Sequence, residues 1–276
     1  MTLERPRAAE VAALFDRNAA VYDRVNSVIC FGLDRRWRRW AAGRALEAAE
    51  LAAAQAAETV QAAVAPRPPR VLDACGGSGL VALELARRGA RVTIADASSG
   101  MLALVRSRSE RAGLRLEVVL ADLSAGTPAG PRGGAAAPGG AAALPGAPFH
   151  AVTLAFGLRY VDNPAGLLRG LAAALVPGGT LVLLEAVVPR GGLTARLAGR
   201  YFFDVAPRVG ALLAGSGELY DELTATVRAL GAAGHLLRLV EAAGLEVRER
   251  RLFAGGVVAG VVATRASGMF SSPAHT

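Results

Sequence analysis

Hydrophobic and polar positions follow two different patterns along this chain. Residues 8–65 are predicted to be helical, because Val11, Leu14 and Phe15 have i, i+3, i+4 spacing and an alanine-rich stretch follows residue 40. Prolines at 66, 68 and 69 end this region, since proline cannot continue a helix. From residue 70 onwards, short apolar runs alternate with amphipathic segments.

The apolar runs predict strands and the segments between them predict helices. Strands are expected at 70–74, 91–96, 115–122, 150–157, 180–188 and, as a closing pair, within 245–265. Helices are expected at 79–88, 99–112, 164–175, 193–231 and 234–244. This alternation predicts an α/β fold with a mostly parallel, Rossmann-like sheet and helices on both faces.

One domain is expected over residues 1–265. Within it, residues 1–65 form a helical cap and residues 193–231 a helical lid. Residues 124–148 are low-complexity Gly, Ala and Pro and predict a flexible loop. The last residues, 266–276, predict a disordered tail.

The composition favours a soluble globular protein over a nucleic-acid-binding one. The net charge is +8, but every one of the 31 basic residues is arginine, which we interpret as a solvated arginine surface. The Arg/Trp cluster at 35–40 fits a membrane interface, an acidic partner or a plain helix surface. We see no secretory signal and no apolar run long enough to span a bilayer. We therefore expect a cytoplasmic protein with at most peripheral membrane contact, and leave a homodimer open.

Metal chemistry is not expected. The chain has only two cysteines, and its three histidines are scattered, so no ligand cluster is visible.

A glycine-dense turn follows the first predicted strand. Gly76, Gly77 and Gly79 would let a ligand approach the backbone closely, with Ser78 between them. The spacing fits the loose dinucleotide pattern, but Asp73 before the turn would repel a pyrophosphate and suit a cationic cofactor portion.

Carboxylates also end the next two predicted strands. Asp96 can accept both ribose hydroxyls, and Asp122 can accept the adenine amino group, beside the apolar Leu123. With Asp73 they would line one rim, because ligands of parallel sheets bind beyond the carboxyl ends of the strands. An electronegative rim favours a sulfonium, and so S-adenosylmethionine, over a dinucleotide.

Several segments resemble the ubiquinone/menaquinone biosynthesis C-methyltransferase family of class I S-adenosylmethionine-dependent methyltransferases. They are VAALFDRNAAVYDRVNSVICFGLDRRWRRW (11–40), VLDACGGSG (71–79), VTLAFGLRYVDNP (152–164), LVPGGTLVLLEAVVP (175–189), the helical segment 201–227 and GGVVAGVVATR (255–265). The resemblance implies a seven-stranded sheet with an antiparallel C-terminal strand. It also implies S-adenosylmethionine as cofactor, S-adenosylhomocysteine as product and a quinol or phenolic substrate, with or without a lipid tail.

The resemblance also implies roles for individual residues. Ser78, Asp96, Asp122, Leu123 and Ala155 would contact the cofactor, and we add Ala97 and Met101 to that set. Tyr22 and Arg159 would face the methyl-transfer site. Arg159 would stabilise a phenolate, with Tyr22 or water relaying the proton. The expected substrate-binding residues are Asn26, Phe156, Tyr160, Tyr201 and Tyr220.

Some positions depart from the family pattern. Leu80 stands where the family usually has an acid, and Tyr160 where it has asparagine. Three alternatives stay open: a secondary-metabolite methyltransferase with an O, N or C acceptor, a repurposed cyclase or binding module on this fold, and a nicotinamide-dependent oxidoreductase.

Overall fold

A seven-stranded sheet forms the centre of the computed structural model, which describes residues 8–59, 67–123, 140–215 and 217–266. The strands are β1 (Arg70–Ala74), β2 (Arg91–Asp96), β3 (Glu117–Leu120), β4 (Phe149–Ala155), β5 (Leu175–Ala186), β6 (Leu245–Phe253) and β7 (Val258–Arg265). Their order is β3-β2-β1-β4-β5-β7-β6. Among these strands only β7 runs against its neighbours, which confirms the expected class I methyltransferase sheet.

The chain reverses its direction of winding between β1 and β4. It moves outwards from β1 through β2 to β3, and then returns to place β4 on the other side of β1. Ligands of such sheets bind at this switch point, beyond the carboxyl ends of the strands.

Nine helices surround the sheet in the described ranges. They are α1 (Ala8–Ile29), α2 (Leu33–Thr59), α3 (Leu80–Arg87), α4 (Ser99–Arg111), α5 (Pro164–Ala174), α6 (Leu193–Arg200), α7 (Ala206–Ala214), α8 (Glu218–Leu230) and α9 (Ala233–Ala242). The predicted N-terminal helical region is broken at Phe31 and Gly32, whose φ angles of 52° and 69° are left-handed. A π-helical turn, Tyr201–Val205, joins α6 to α7 inside the predicted lid.

Two apolar layers cover the sheet. On one face α2 packs through Ala41, Ala45 and Ala49, which are at most 1% exposed and recur every four residues. Their small side chains let α2 approach β4 and β5 closely. The opposite layer is formed by α5 and α9, with Leu168, Leu171 and Leu236 buried.

Several boundaries differ from the prediction by one or two residues, and two regions differ more. Strand β5 begins at Leu175, because residues 176–179 bulge out between the pairs Phe149–Leu175 and Ala151–Thr180. Residues 140–148, which we expected to belong to a flexible loop, pack on the protein: Leu144 is buried, and the Pro145 carbonyl accepts a hydrogen bond from Thr93 at 2.7 Å. The rest of that loop (124–139), residues 60–65 of the predicted helix and residues 267–276 of the predicted tail lie outside the described residues.

Candidate active site

Two loops meet at the switch point. The first follows β1 and the second follows β4, and each begins with a residue in the left-handed region, Cys75 at φ 50° and Phe156 at φ 62°. A Cβ added to Gly157 would lie 2.6 Å from the Cβ of Cys75, so only glycine permits this contact. Strained backbone of this kind is concentrated at functional sites.

Asp96 fixes the glycine turn. Its carboxylate accepts hydrogen bonds from the backbone N–H of Gly77 at 2.8 Å and of Ser98 at 2.9 Å. Burial raises the pKa of Asp96, and these hydrogen bonds oppose that rise. The turn itself is tight, since a Cβ at Gly76 would lie 2.6 Å from Ile94.

A cavity of about 110 Å³ lies beside this turn. It is lined by nine of the predicted cofactor residues: Gly76, Gly77, Ser78, Asp96, Ala97, Met101, Asp122, Leu123 and Ala155. In the described lining, the carboxylates of Asp96 and Asp122 lie among apolar and small residues. Such a lining suits the hydroxyls and the amino group of an adenosine. The residues present therefore fit S-adenosylmethionine.

Asp73 and Gly79 are the two exceptions. Asp73 is 1% exposed and points into the sheet, where its carboxylate accepts from the Thr153 hydroxyl at 2.7 Å and the Ala82 N–H at 3.0 Å. Burial raises its pKa to about 6, against the effect of these hydrogen bonds. The predicted seat of three carboxylates is therefore wrong: Asp73 joins β1 to β4 and α3, and two carboxylates reach the cavity. Gly79 starts α3, with φ 78°, and does not line the cavity.

Helix α1 lies across this cavity and is held by two carboxylates that the sequence did not reveal. Asp16 accepts hydrogen bonds from the Ser98 hydroxyl at 2.5 Å and the Gly100 N–H at 2.8 Å, at the start of α4. Asp23 accepts from the Ser78 hydroxyl at 2.7 Å and pairs with Arg108 at 2.6 Å. The contacts span 55 or more residues, so no local pattern could have indicated them.

A second cavity, of about 490 Å³, adjoins the first. Both are lined by Tyr22, Arg38, Phe156 and Tyr160, which mark the junction. Three further predicted substrate residues line the second cavity only, namely Asn26, Tyr201 and Tyr220. Arg159 also lines the second cavity only. The walls of this cavity come from α1, α2, α6, α8 and the π-helical turn.

Arg159 is tied to a residue that the sequence analysis missed. Its Nη1 lies 2.5 Å from Oε1 of Glu185, and both side chains are at most 3% exposed. Burial alone would lower the pKa of Arg159, but Tyr160 and Glu185 outweigh it and the pKa is raised. Glu185 could have been found from its place in the apolar run LVLLEAVV, because a charge in a buried strand needs a partner.

Two tyrosines flank Arg159 at the junction. Its guanidinium carbon lies 4.4 Å from the ring centroid of Tyr160, and its Nη2 donates to the Tyr160 hydroxyl at 3.2 Å. Phe15 packs edge-on against Tyr22 and Tyr160 at 5.3 and 5.1 Å. Burial raises the pKa of both tyrosines, so they stay protonated at neutral pH.

Two residues that line the second cavity, Asp34 and Tyr220, carry a buried polar atom without a partner. In the part of the chain that the structure describes, no group forms a hydrogen bond with Oδ1 of Asp34 or with the hydroxyl of Tyr220, and these residues are 4% and 1% exposed. Such atoms are rare in native proteins unless a ligand or water pairs with them.

The Arg/Trp cluster of α2 does not present its tryptophans to the surroundings. Trp37 is buried, and Trp37 and Trp40 pack with Phe253 at 6.3 and 5.4 Å. Arg35, Arg36 and Arg39 occupy the exposed face. The cluster is therefore an amphipathic helix face, and the tryptophans do not form a membrane-facing pair.

Neither a metal centre nor a membrane span was found in the ranges that the structure describes. No group of three His, Cys, Asp or Glu side chains there could hold a metal ion. None of the described helices combines the length and apolar character needed to cross a lipid bilayer.

Known proteins resemble this chain over most of its length. The demethylmenaquinone methyltransferase from Mycobacterium sp. (strain KMS) is 34% identical to it, over 91% of each chain. The enzyme of the same name from Thermus thermophilus is also 34% identical, over 88% of this chain and 96% of its own. The enzyme of the same name from Deinococcus radiodurans is also 34% identical, over 91% of each chain. Among solved structures, the cyclase SpnF superposes with a TM-score of 0.63 at 17% identity, over 96% of this chain and 98% of SpnF, which shows a shared fold.

Family models agree with these relatives. Residues 71–179 match a general methyltransferase domain, and residues 135–265 match the ubiE/COQ5 methyltransferase family. The chain belongs to the ubiE/COQ5 methyltransferase family and is an S-adenosylmethionine-dependent methyltransferase.

Proposed function

We propose that this protein methylates a ring carbon of a quinol, or of a closely related hydroxylated aromatic ring. The observation that carries the proposal is the aromatic-walled second cavity, which opens onto the cofactor cavity at Tyr22, Arg38, Phe156 and Tyr160. A flat ring held there would lie next to the methyl donor. The names of the relatives, demethylmenaquinone methyltransferases, support the same substrate class.

The reaction needs a nucleophilic ring carbon. When bound, S-adenosylmethionine supplies an electrophilic methyl group. A ring carbon next to an ionised hydroxyl would form the new C–C bond as the bond between the methyl group and sulfur breaks, with S-adenosylhomocysteine as the leaving group. The ring carbon would then lose its proton and the phenolate oxygen would regain one, so that the methylated product is again a quinol. The protein must therefore orient the ring, stabilise the phenolate and accept protons.

Arg159 and Tyr22 would donate hydrogen bonds to the phenolate. Because Glu185 balances the charge of Arg159, the pair acts as a fixed donor rather than a free cation. Tyr22 has a raised pKa, so it donates and does not act as a base at neutral pH. Asp34 supplies the missing acceptor, since it is the carboxylate among the described residues that line this cavity.

The mouth of the second cavity suits an apolar tail. Phe31, Leu193 and Leu197 line it and are 74%, 71% and 59% exposed. Exposed apolar side chains around a pocket mark an interaction surface. A lipid-tailed quinol would rest its tail on them, at the surface of a membrane.

The test is a methylation assay on reduced and oxidised forms of one ring. A short-tailed demethylated naphthoquinol should gain one methylene in mass spectra when S-adenosylmethionine is present. The matching quinone should gain none, because its ring carbons are not nucleophilic. Tyr22→Phe should lower kcat about 100-fold while S-adenosylhomocysteine binds as before. Equal methylation of quinone and quinol, or of neither, would contradict the proposal.

A further inference from the structure

The guanidinium of Arg38 is a cation at the junction of the two cavities. Among the described residues that line the first cavity, Arg38 is the basic one, and Asp96 and Asp122 are the two acidic ones. Its side chain is 13% exposed. Its charge opposes the rise that burial causes in the pKa of Tyr22, Cys30 and Asp73, and its side chain lines both cavities.

Within the described ranges, the acidic partner of Arg38 is Asp34, and the ion pair between them is long. The Nε of Arg38 lies 4.0 Å from Oδ2 of Asp34 and is buried without a hydrogen-bond partner. The guanidinium carbon lies 5.3 Å from the ring centroid of Phe156. A buried guanidinium favours a planar, bidentate acid that satisfies its N–H groups, and these contacts do not supply one.

The other cation near the glycine turn is already engaged. Arg108 pairs with Asp23 at 2.6 Å and donates to the Ser78 carbonyl at 2.9 Å. A carboxylate that enters the first cavity would meet repulsion from Asp96 and Asp122 unless it lies against Arg38.

The cofactor brings such a carboxylate. S-adenosylmethionine ends in an amino acid, and the adenosine subsite is formed by residues that line the first cavity alone, Asp96, Asp122 and Leu123. With the adenosine seated there, the amino-acid end extends towards the junction. The transferred methyl group must reach that junction too, because the acceptor lies in the second cavity.

We propose that Arg38 binds the carboxylate of the methionine portion of the cofactor through its guanidinium. This inference rests on the proposed cofactor site and adds to it the residue that distinguishes an amino-acid-bearing nucleoside from a bare one. Arg38 thereby positions the sulfonium between the glycine turn and the second cavity.

Two nucleosides that differ only in the amino-acid end provide the test. S-adenosylhomocysteine carries the carboxylate, whereas 5′-methylthioadenosine lacks it. By isothermal titration, Arg38→Met should weaken S-adenosylhomocysteine about 10- to 100-fold and leave 5′-methylthioadenosine within about twofold. Arg39→Met is the matched control, since Arg39 is the next residue of α2 and is exposed; both affinities should stay at the wild-type value.

Arg38→Lys keeps the charge but not the planar fork, and should weaken S-adenosylhomocysteine by an intermediate factor, about three- to tenfold. It tests the inference even if Arg38→Met does not fold. An unchanged affinity for S-adenosylhomocysteine, or an equal loss for both nucleosides, would overturn the role of Arg38. Wild-type protein that binds neither nucleoside would instead overturn the cofactor site.

Discussion

The buried pair Arg159–Glu185 makes a quantitative prediction about stability. The Glu185 carboxylate accepts three hydrogen bonds: from Arg159 Nη1 at 2.5 Å, the Ala186 N–H at 2.9 Å and the Arg159 N–H at 3.3 Å. Glu185→Gln keeps the shape, but its amide NH₂ must face one of these donors, and the Arg159 charge loses its counter-charge. Removal of one partner from a buried pair costs about 3–5 kcal/mol.

Urea denaturation measures this loss as a lower free energy of unfolding. Glu84→Gln is the control, because Glu84 pairs with Arg88 at 2.6 Å but the two side chains are 24% and 36% exposed. A surface pair of this kind contributes about 0–1 kcal/mol. The double variant Arg159→Met/Glu185→Leu removes both charges and should lie within about 1–2 kcal/mol of wild type.

Two results would refute this reasoning. Glu185→Gln could lose no more stability than Glu84→Gln, which would mean that the charge of Arg159 is compensated elsewhere. Alternatively, the double variant could be as unstable as Glu185→Gln, which would mean that packing rather than charge explains the loss.

Two further predictions concern Asp73 and Leu197. The pKa of Asp73 is raised from 3.8 to about 6, so Asp73 binds its proton more tightly in the folded state than in the unfolded chain. The contribution of Asp73 to the free energy of unfolding therefore falls by about 3 kcal/mol as the pH rises from about 4 to above 6. Asp73→Asn can accept the hydrogen bond from the Ala82 N–H and donate its amide N–H to the Thr153 hydroxyl, and it should remove that fall between pH 4.5 and 7.5 in urea titrations. An identical pH dependence in wild type and variant would contradict the assignment. Leu197→Glu should raise KM for a long-tailed naphthoquinol at least about tenfold more than for a short-tailed one, since it places a charge at the cavity mouth. Leu212→Glu is the control, at an 83% exposed position that does not line the cavity, and should change neither KM. An equal rise in KM for both tail lengths in Leu197→Glu would argue against tail contact.

The sheet could be predicted from the sequence because its strands are short apolar runs with clear ends. The bounds of β1 and β2 match the prediction, since a carboxylate or a glycine turn follows each apolar run. The break at Phe31 and Gly32 was missed, although a glycine in a helical pattern is a signal for one.

The candidate site was predictable only in part. Strand ends placed Asp96 and Asp122 correctly at the first cavity, but Asp73 has the same sequence context and points into the sheet. Which way a side chain faces at the last residues of a strand depends on the neighbouring strand, here Thr153 of β4, and on the start of α3. Asp16 and Asp23 could not be found because their partners are distant in sequence.

The two cavities are built from different parts of the chain. Turns at the ends of the sheet form the first, whereas helices packed over those ends form most of the second, and four side chains belong to both. In a diverging lineage, replacements among the helices can exchange one acceptor molecule for another while the donor is retained. Evolution of acceptor choice is therefore restricted chiefly at Tyr22, Arg38, Phe156 and Tyr160, where a replacement of different size alters the space available to both reactants.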